Sequence, residues 1–149
     1  QPLLYQRRSG RGHAVTVPFA PPFRGKLHFV YLNRKQNSRE GIRRFREKVQ
    51  PSTEDNEQLS RISIDLLRAQ DLVSFQALLD RHEDFIAGKL GLPKVRDLYF
   101  SDFPGSIKSL GAWGGDFVLV ASAEPADAVR AYFADKGMAT VLSFGEMVL

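Results

Sequence analysis

The chain contains no cysteine, which excludes disulfides, thiol nucleophiles and cysteine metal sites. Its three histidines, His13, His28 and His82, lie far apart and in no metal-ligand spacing, so no metal site is expected from the sequence. No apolar run approaches the ~20 residues of a membrane-spanning helix, and no membrane partner is expected. The opening residues lack the charged and then apolar pattern of a secretory leader. A cytoplasmic protein is the simplest expectation. The first residue is Gln1 rather than Met, and the expectation is that the numbering begins inside a longer protein or that a start has been removed.

Acidic residues are scarce in the first third. Up to Gln50 there are twelve Lys or Arg against two Asp or Glu; the remainder has nine against fifteen. A basic stretch of this kind suits an anionic partner, such as nucleotide phosphates, a phosphorylated metabolite or nucleic acid. It equally suits a solvated face or an edge that docks on an acidic domain. At 149 residues, 43% of them hydrophobic, the chain is long enough for one domain with a real core.

No internal repeat or low-complexity tract is present. Gln1 to Arg24, which holds Gly10, Gly12, Pro18, Pro21 and Pro22, reads as irregular or edge-strand chain, and Ala14 to Val17 is its best strand candidate. Leu27 to Leu32 is apolar, aromatic and β-branched, and reads as a buried strand. Three helical patterns follow. Asn37 is placed to cap the first, with Ile42, Phe45 and Val49 on one face, and Pro51 ends it. Ser52 with Asp55 makes a capping signature ahead of Leu59, Ile62, Leu66 and Ala69. Asp71 opens the third, with Leu72, Phe75, Leu79, Ile86 and Leu90 on one stripe, and Gly91 and Pro93 end it.

The pattern then turns to strands at Asp97–Phe100, Ser106–Leu110 and Phe117–Ala121. A helix follows from Glu124-Pro125, with Gly137 just past its end, and Ala139–Leu142 is the last strand. This order favours an α+β fold, an antiparallel sheet with helices packed on one face.

The segment Pro104–Val120, PGSIKSLGAWGGDFVLV, holds a glycine-rich loop between two strands. Glycines permit sharp turns and close backbone approach, and successive free N–H groups can hold an anion. By composition alone a hairpin turn explains it as well.

The same segment resembles the third motif of the GHMP kinases (galactokinase, homoserine kinase, mevalonate kinase and phosphomevalonate kinase). That motif is a strand, a Gly-Ala-Gly-Gly-Gly-type loop and an apolar strand. Lys108, Leu110, Gly111, Ala112, Gly114 and Gly115 fall on the pattern; Trp113 stands where glycine is usual, and Asp116 where glycine or a small residue is usual. A second stretch, Val30–Ile42, resembles the family segment in which the first strand of the C-terminal domain meets a helix through a Ser/Thr-Arg pair, here Ser38 and Arg39. A plain helix-start role for Ser38 remains open beside it.

The resemblance implies a ferredoxin-like C-terminal domain over residues 25–149, preceded by residues 1–24 left over from the domain before it. It implies that the loop residues Lys108, Gly111, Ala112, Trp113, Gly114 and Gly115, and the turn residues Arg34, Lys35, Ser38 and Arg39, face substrate and phosphate. ATP and Mg²⁺ would be bound mainly by an N-terminal half. The chain has no Pro-x-x-x-Gly-Leu-Gly-Ser-Ser loop, and no catalytic residue is expected within it. Partners implied are that half and a small-molecule substrate of the mevalonate or phosphomevalonate type. The other open reading is a non-catalytic ferredoxin-like module for interaction or nucleic-acid binding. The basic-aromatic strand motif of RNA readers is missing, which argues against nucleic acid.

Overall fold

The computed structural model describes residues 2–8, 10–34, 38–111, 113 and 115–148. Strands β1 (Leu3–Arg8) and β2 (Arg11–Thr16) pair antiparallel as a separate two-stranded ribbon. The main sheet contains β3 (Leu27–Tyr31), β4 (Ser106–Ser109), β5 (Phe117–Ala121) and β6 (Val141–Ser143), in the order β4-β5-β3-β6 with every pair antiparallel. The helices are α1 (Ser38–Lys48), α2 (Thr53–Arg68), α3 (Leu72–Leu90), α4 (Val95–Tyr99), α5 (Ala126–Asp135) and α6 (Phe144–Met147). The fold is α+β.

Local chemistry sets most boundaries. Ser52 accepts from the Asp55 amide and the Asp55 carboxylate accepts from the Ser52 amide, a reciprocal box that opens α2. Asp71 accepts from the Ser74 amide and hydroxyl at the start of α3. Gly91, at φ 61°, closes that helix in the left-handed conformation. Ser143 and Glu146 form a second reciprocal box that opens α6, a helix the sequence pattern did not suggest.

Strand residues of alternating parity face opposite sides of a sheet. Val30, Val118, Val120, Ile107 and Val141 join one buried cluster with Val95, Phe100, Phe103, Val129 and Phe133. Leu27 and Ala121, of the other parity, join Phe23, Ala69, Phe75, Leu79 and Phe144. The sheet is therefore covered on both sides, by α4 and α5 on one and by α3 on the other. The expectation of helices on one face is corrected on this point. The physical reason was in the strands: FVLVA and LHFVY are near-continuous apolar runs, which suit burial on both faces rather than alternation.

Two further differences concern single elements. Asp97–Phe100 does not form a strand; it falls on α4 and its C-cap, Phe100. The ribbon begins at Leu3, in a stretch whose clearest strand signal was Ala14–Val17. Beyond the ribbon, Phe19 and Phe23 pack on Phe75 with ring centroids 6.1 and 5.0 Å away.

Candidate functional site

Strand β4 delivers Lys108 to the edge of the sheet, beside α3. The β4–β5 connection that follows is held at its base by the Leu110 amide, which donates to the Phe117 carbonyl at 3.1 Å. Gly111 sits at φ 68° and Trp113 at φ 43°. Both are left-handed backbone, which glycine enters freely and a residue with a Cβ enters at a cost of about 1–2 kcal/mol. An added Cβ at Gly111 would meet nothing within 4 Å, so its glycine answers to conformation and not to crowding.

This loop, α1 and α3 enclose a cleft of about 380 Å³. Ile42 and Phe45 line it from α1, Ile86 and Leu90 from α3, Leu92 from the turn after it, and Trp113 from the loop. Its polar lining comes from Arg46, His82, Lys108 and Ser109; no Asp or Glu lines it among the described residues. Under the cleft, Lys108 Nζ lies 3.4 Å from Glu83 Oε1 and 3.3 Å from the Ser109 carbonyl. Burial pushes the Glu83 carboxyl up and the Lys108 ammonium down, and their mutual attraction opposes both shifts.

His82 is lowered to about 4 by burial and then by the Lys108 charge, so its imidazole is neutral at pH 7. The Ser109 amide and hydroxyl turn to the Glu83 carboxylate and, with Lys108, favour its charged form against burial. His82 Nδ1 is buried with no partner on another residue.

The residues singled out from sequence divide as follows. Lys108, Gly111 and Trp113 line the cleft together with α1. Gly115 is buried at the end of the loop. Lys35, Ala112 and Gly114 lie outside the described residues. The backbone of Ser38 opens α1, and its side chain lies outside the described atoms.

Arg39 borders a neighbouring recess with Ile42, Arg43, Arg46 and Glu47. Arg34 does not line the cleft. Its guanidinium stacks over the Tyr99 ring at 4.3 Å and donates to the Tyr99 hydroxyl. The turn residues thus part company, with Arg34 held by α4 and α1 carried to the cleft.

By sequence alone His82, beside Glu83 and Asp84, and Asp102, before Phe103-Pro104, read as surface or turn residues. His82 and Glu83 sit in a helix beside Asp84 and look there like a solvated charged patch. Their signal was positional. The stripe Phe75, Leu79, Ile86, Leu90 leaves a gap of one turn, and His82 and Glu83 fill it on the buried side. Asp102 serves structure: it accepts from the Tyr132 hydroxyl at 2.6 Å and from Lys136 at 3.3 Å.

Among the described residues no group of His, Cys, Asp and Glu is arranged to hold a metal ion, and no helix is long and apolar enough to cross a membrane. No family model, curated protein or solved structure matches the chain.

Proposed function

We propose that the chain is the C-terminal part of a GHMP-type small-molecule kinase, supplying one wall of the cleft in which ATP-dependent phosphoryl transfer takes place. The observation that carries this reading is spatial. Gly111 and Trp113 of the loop that resembles the family, and Gly41 and Ile42 of the helix that follows Ser38-Arg39, line one cleft although they lie far apart in sequence. The antiparallel β4-β5-β3-β6 order, with α1 to α4 between β3 and β4 and α5 between β5 and β6, supports a ferredoxin-like unit of the kind the family uses.

In this role the chain's own residues position and neutralise. Lys108 and Arg46 supply positive charge for an anion. Mg·ATP and the groups that activate the acceptor would come from an N-terminal half. Phosphoryl transfer depends on positioning and charge stabilisation, so one wall without the other should not turn over.

The test is an ADP-release assay with Mg·ATP on the protein that carries this segment joined to its upstream half. Mevalonate, phosphomevalonate, homoserine and galactose are the acceptors, and the 149-residue chain alone runs beside it. Turnover of one acceptor by the longer protein and none by the chain is the expected outcome. Failure of both, with both folded, would leave a non-catalytic interaction module as the better reading.

A further inference from the structure

We propose that the cleft between α1, α3 and the β4–β5 loop binds a small organic anion with an apolar body. This goes beyond the kinase reading and stands on the cleft alone, since binding requires neither ATP nor catalysis.

Three observations on separate elements converge. The first is shape and lining. About 380 Å³ falls within the ~300–1,000 Å³ of small-molecule sites. Six apolar side chains, Ile42, Phe45, Ile86, Leu90, Leu92 and Trp113, make the walls. A compact inorganic anion would leave those walls wet; a hydrocarbon body covers them and gains about 25 cal/mol per Å² removed from water.

The second is sign. Among the described residues Lys108 and Arg46 are the charged side chains in the lining, and the Glu83 carboxylate beneath it is already engaged with Lys108. His82 adds a neutral imidazole. A cationic ligand would meet two like charges and find no counterion in the lining.

The third is unmet hydrogen bonding. Lys108 has three N–H donors and two long contacts, at 3.4 and 3.3 Å. Ser109, only 4% exposed, is already turned to the Glu83 carboxylate, and His82 Nδ1 has no partner on another residue; both residues line the cleft. A carboxylate or phosphate lodged here would accept from Lys108. The charge-assisted bonds would replace the loose internal contacts.

Trp113 lines the cleft and is the single tryptophan of the chain, so its emission reports occupancy without a label. The 149-residue chain is titrated at pH 7.5 with octanoate, with 1-octanol and with acetate. Octanoate is expected to shift Trp113 emission saturably. Octanol, with the tail and no charge, is expected to bind about tenfold more weakly, the worth of one charge-assisted hydrogen bond. Acetate, with the charge and no tail, should give no saturable change.

Lys108→Met should bring octanoate and octanol within about twofold of each other, the anion's advantage of one charge-assisted bond having been removed. Arg46→Gln, at an exposed helix position that leaves the fold intact, should narrow the gap part-way and serves if Lys108→Met does not fold. Ile86→Ser should weaken octanoate and octanol alike. No saturable response to octanoate overturns the proposal. So does equal binding of octanol by the unaltered chain, or a preference for octanoate untouched by both charge variants. None of these outcomes depends on whether the longer protein transfers phosphate.

Discussion

The core around Phe133 and the cleft around Lys108 lean on the same sheet and treat their atoms in opposite ways. Phe100 and Phe133 are fully buried with rings 5.1 Å apart, and Val118, Val120 and Val129 join them in one buried cluster. At the cleft, Ile42 and Phe45 stay 50% and 40% exposed, and the buried Lys108 and Glu83 face each other beneath them at 3.4 Å. A protein selected only for stability would fill the second region as it fills the first. The difference teaches that the cleft is kept open at a cost, and such places are where sites are found.

The sharpest way to break this comparison is truncation on each side. Phe133→Ala should destabilise by about 4 kcal/mol in urea denaturation, whereas Phe45→Ala should cost less than about 1 kcal/mol. Equal costs would mean that α1 is packed as a core helix and that the cleft is not open.

Next in size is the buried pair. Glu83→Ala should cost about 3 kcal/mol, because Lys108 would be left buried without its counter-charge. Adding Lys108→Met to it should recover most of that loss. If the double variant is no more stable than the single, the pair is not what holds α3 to β4.

The pH dependence is smaller. The folded value of His82, about 4, lies below its ordinary 6.5, so the unfolded chain takes up the proton first as pH falls. The contribution is complete above pH 6.5 and is lost progressively down to pH 4. At this partly exposed site it should amount to about 1–2 kcal/mol. His28, lowered by burial and by Arg130 and Lys26, has the same sign. The measurement is therefore the difference in slope between the unaltered chain and His82→Gln, which should be the flatter.

Smallest is Gly111→Ala. The space is open and only the left-handed backbone is strained, so a loss of about 1 kcal/mol is expected by thermal melting. A larger loss would mean that the loop packs more tightly than the cleft allows.

Much of the fold was legible in sequence because its signals are local. Ser52 and Asp55, Asp71, and Gly91 mark helix ends through their own neighbours' amides and φ angles. Phe117–Ala121 is apolar enough to be a strand under any reading. Asp97–Phe100 was misread because four residues cannot separate a period of 2 from one of 3.6. In α4 only Val95 is buried, Phe100 following at its C-cap, while Leu98 and Tyr99 are exposed. The number of helix layers depended on which strand faces are covered, which only assembly decides.

The site was legible where a residue's type carries the chemistry, as with Gly111 and Lys108. It was not legible where a partner comes from another element. Nothing near Lys108 in sequence points to Glu83, 25 residues earlier. Nor does anything near Arg34 point to Tyr99.

The register of β3 sets a schedule for the chain's synthesis. Leu27 pairs with Ala121 and His28 with Ser143, so the central strand has no sheet partner until about 90 further residues exist. At ribosomal speeds of about 5–20 residues per second, that is roughly 5–20 seconds. Throughout that interval Leu27 to Leu32 is an apolar strand with both edges unpaired. The helices between and the local β4–β5 hairpin can form early, and the long-range pairing of β3 closes the sheet last. Whatever shields that strand in the meantime, a helix of its own chain or a chaperone, acts before any cleft exists to be filled.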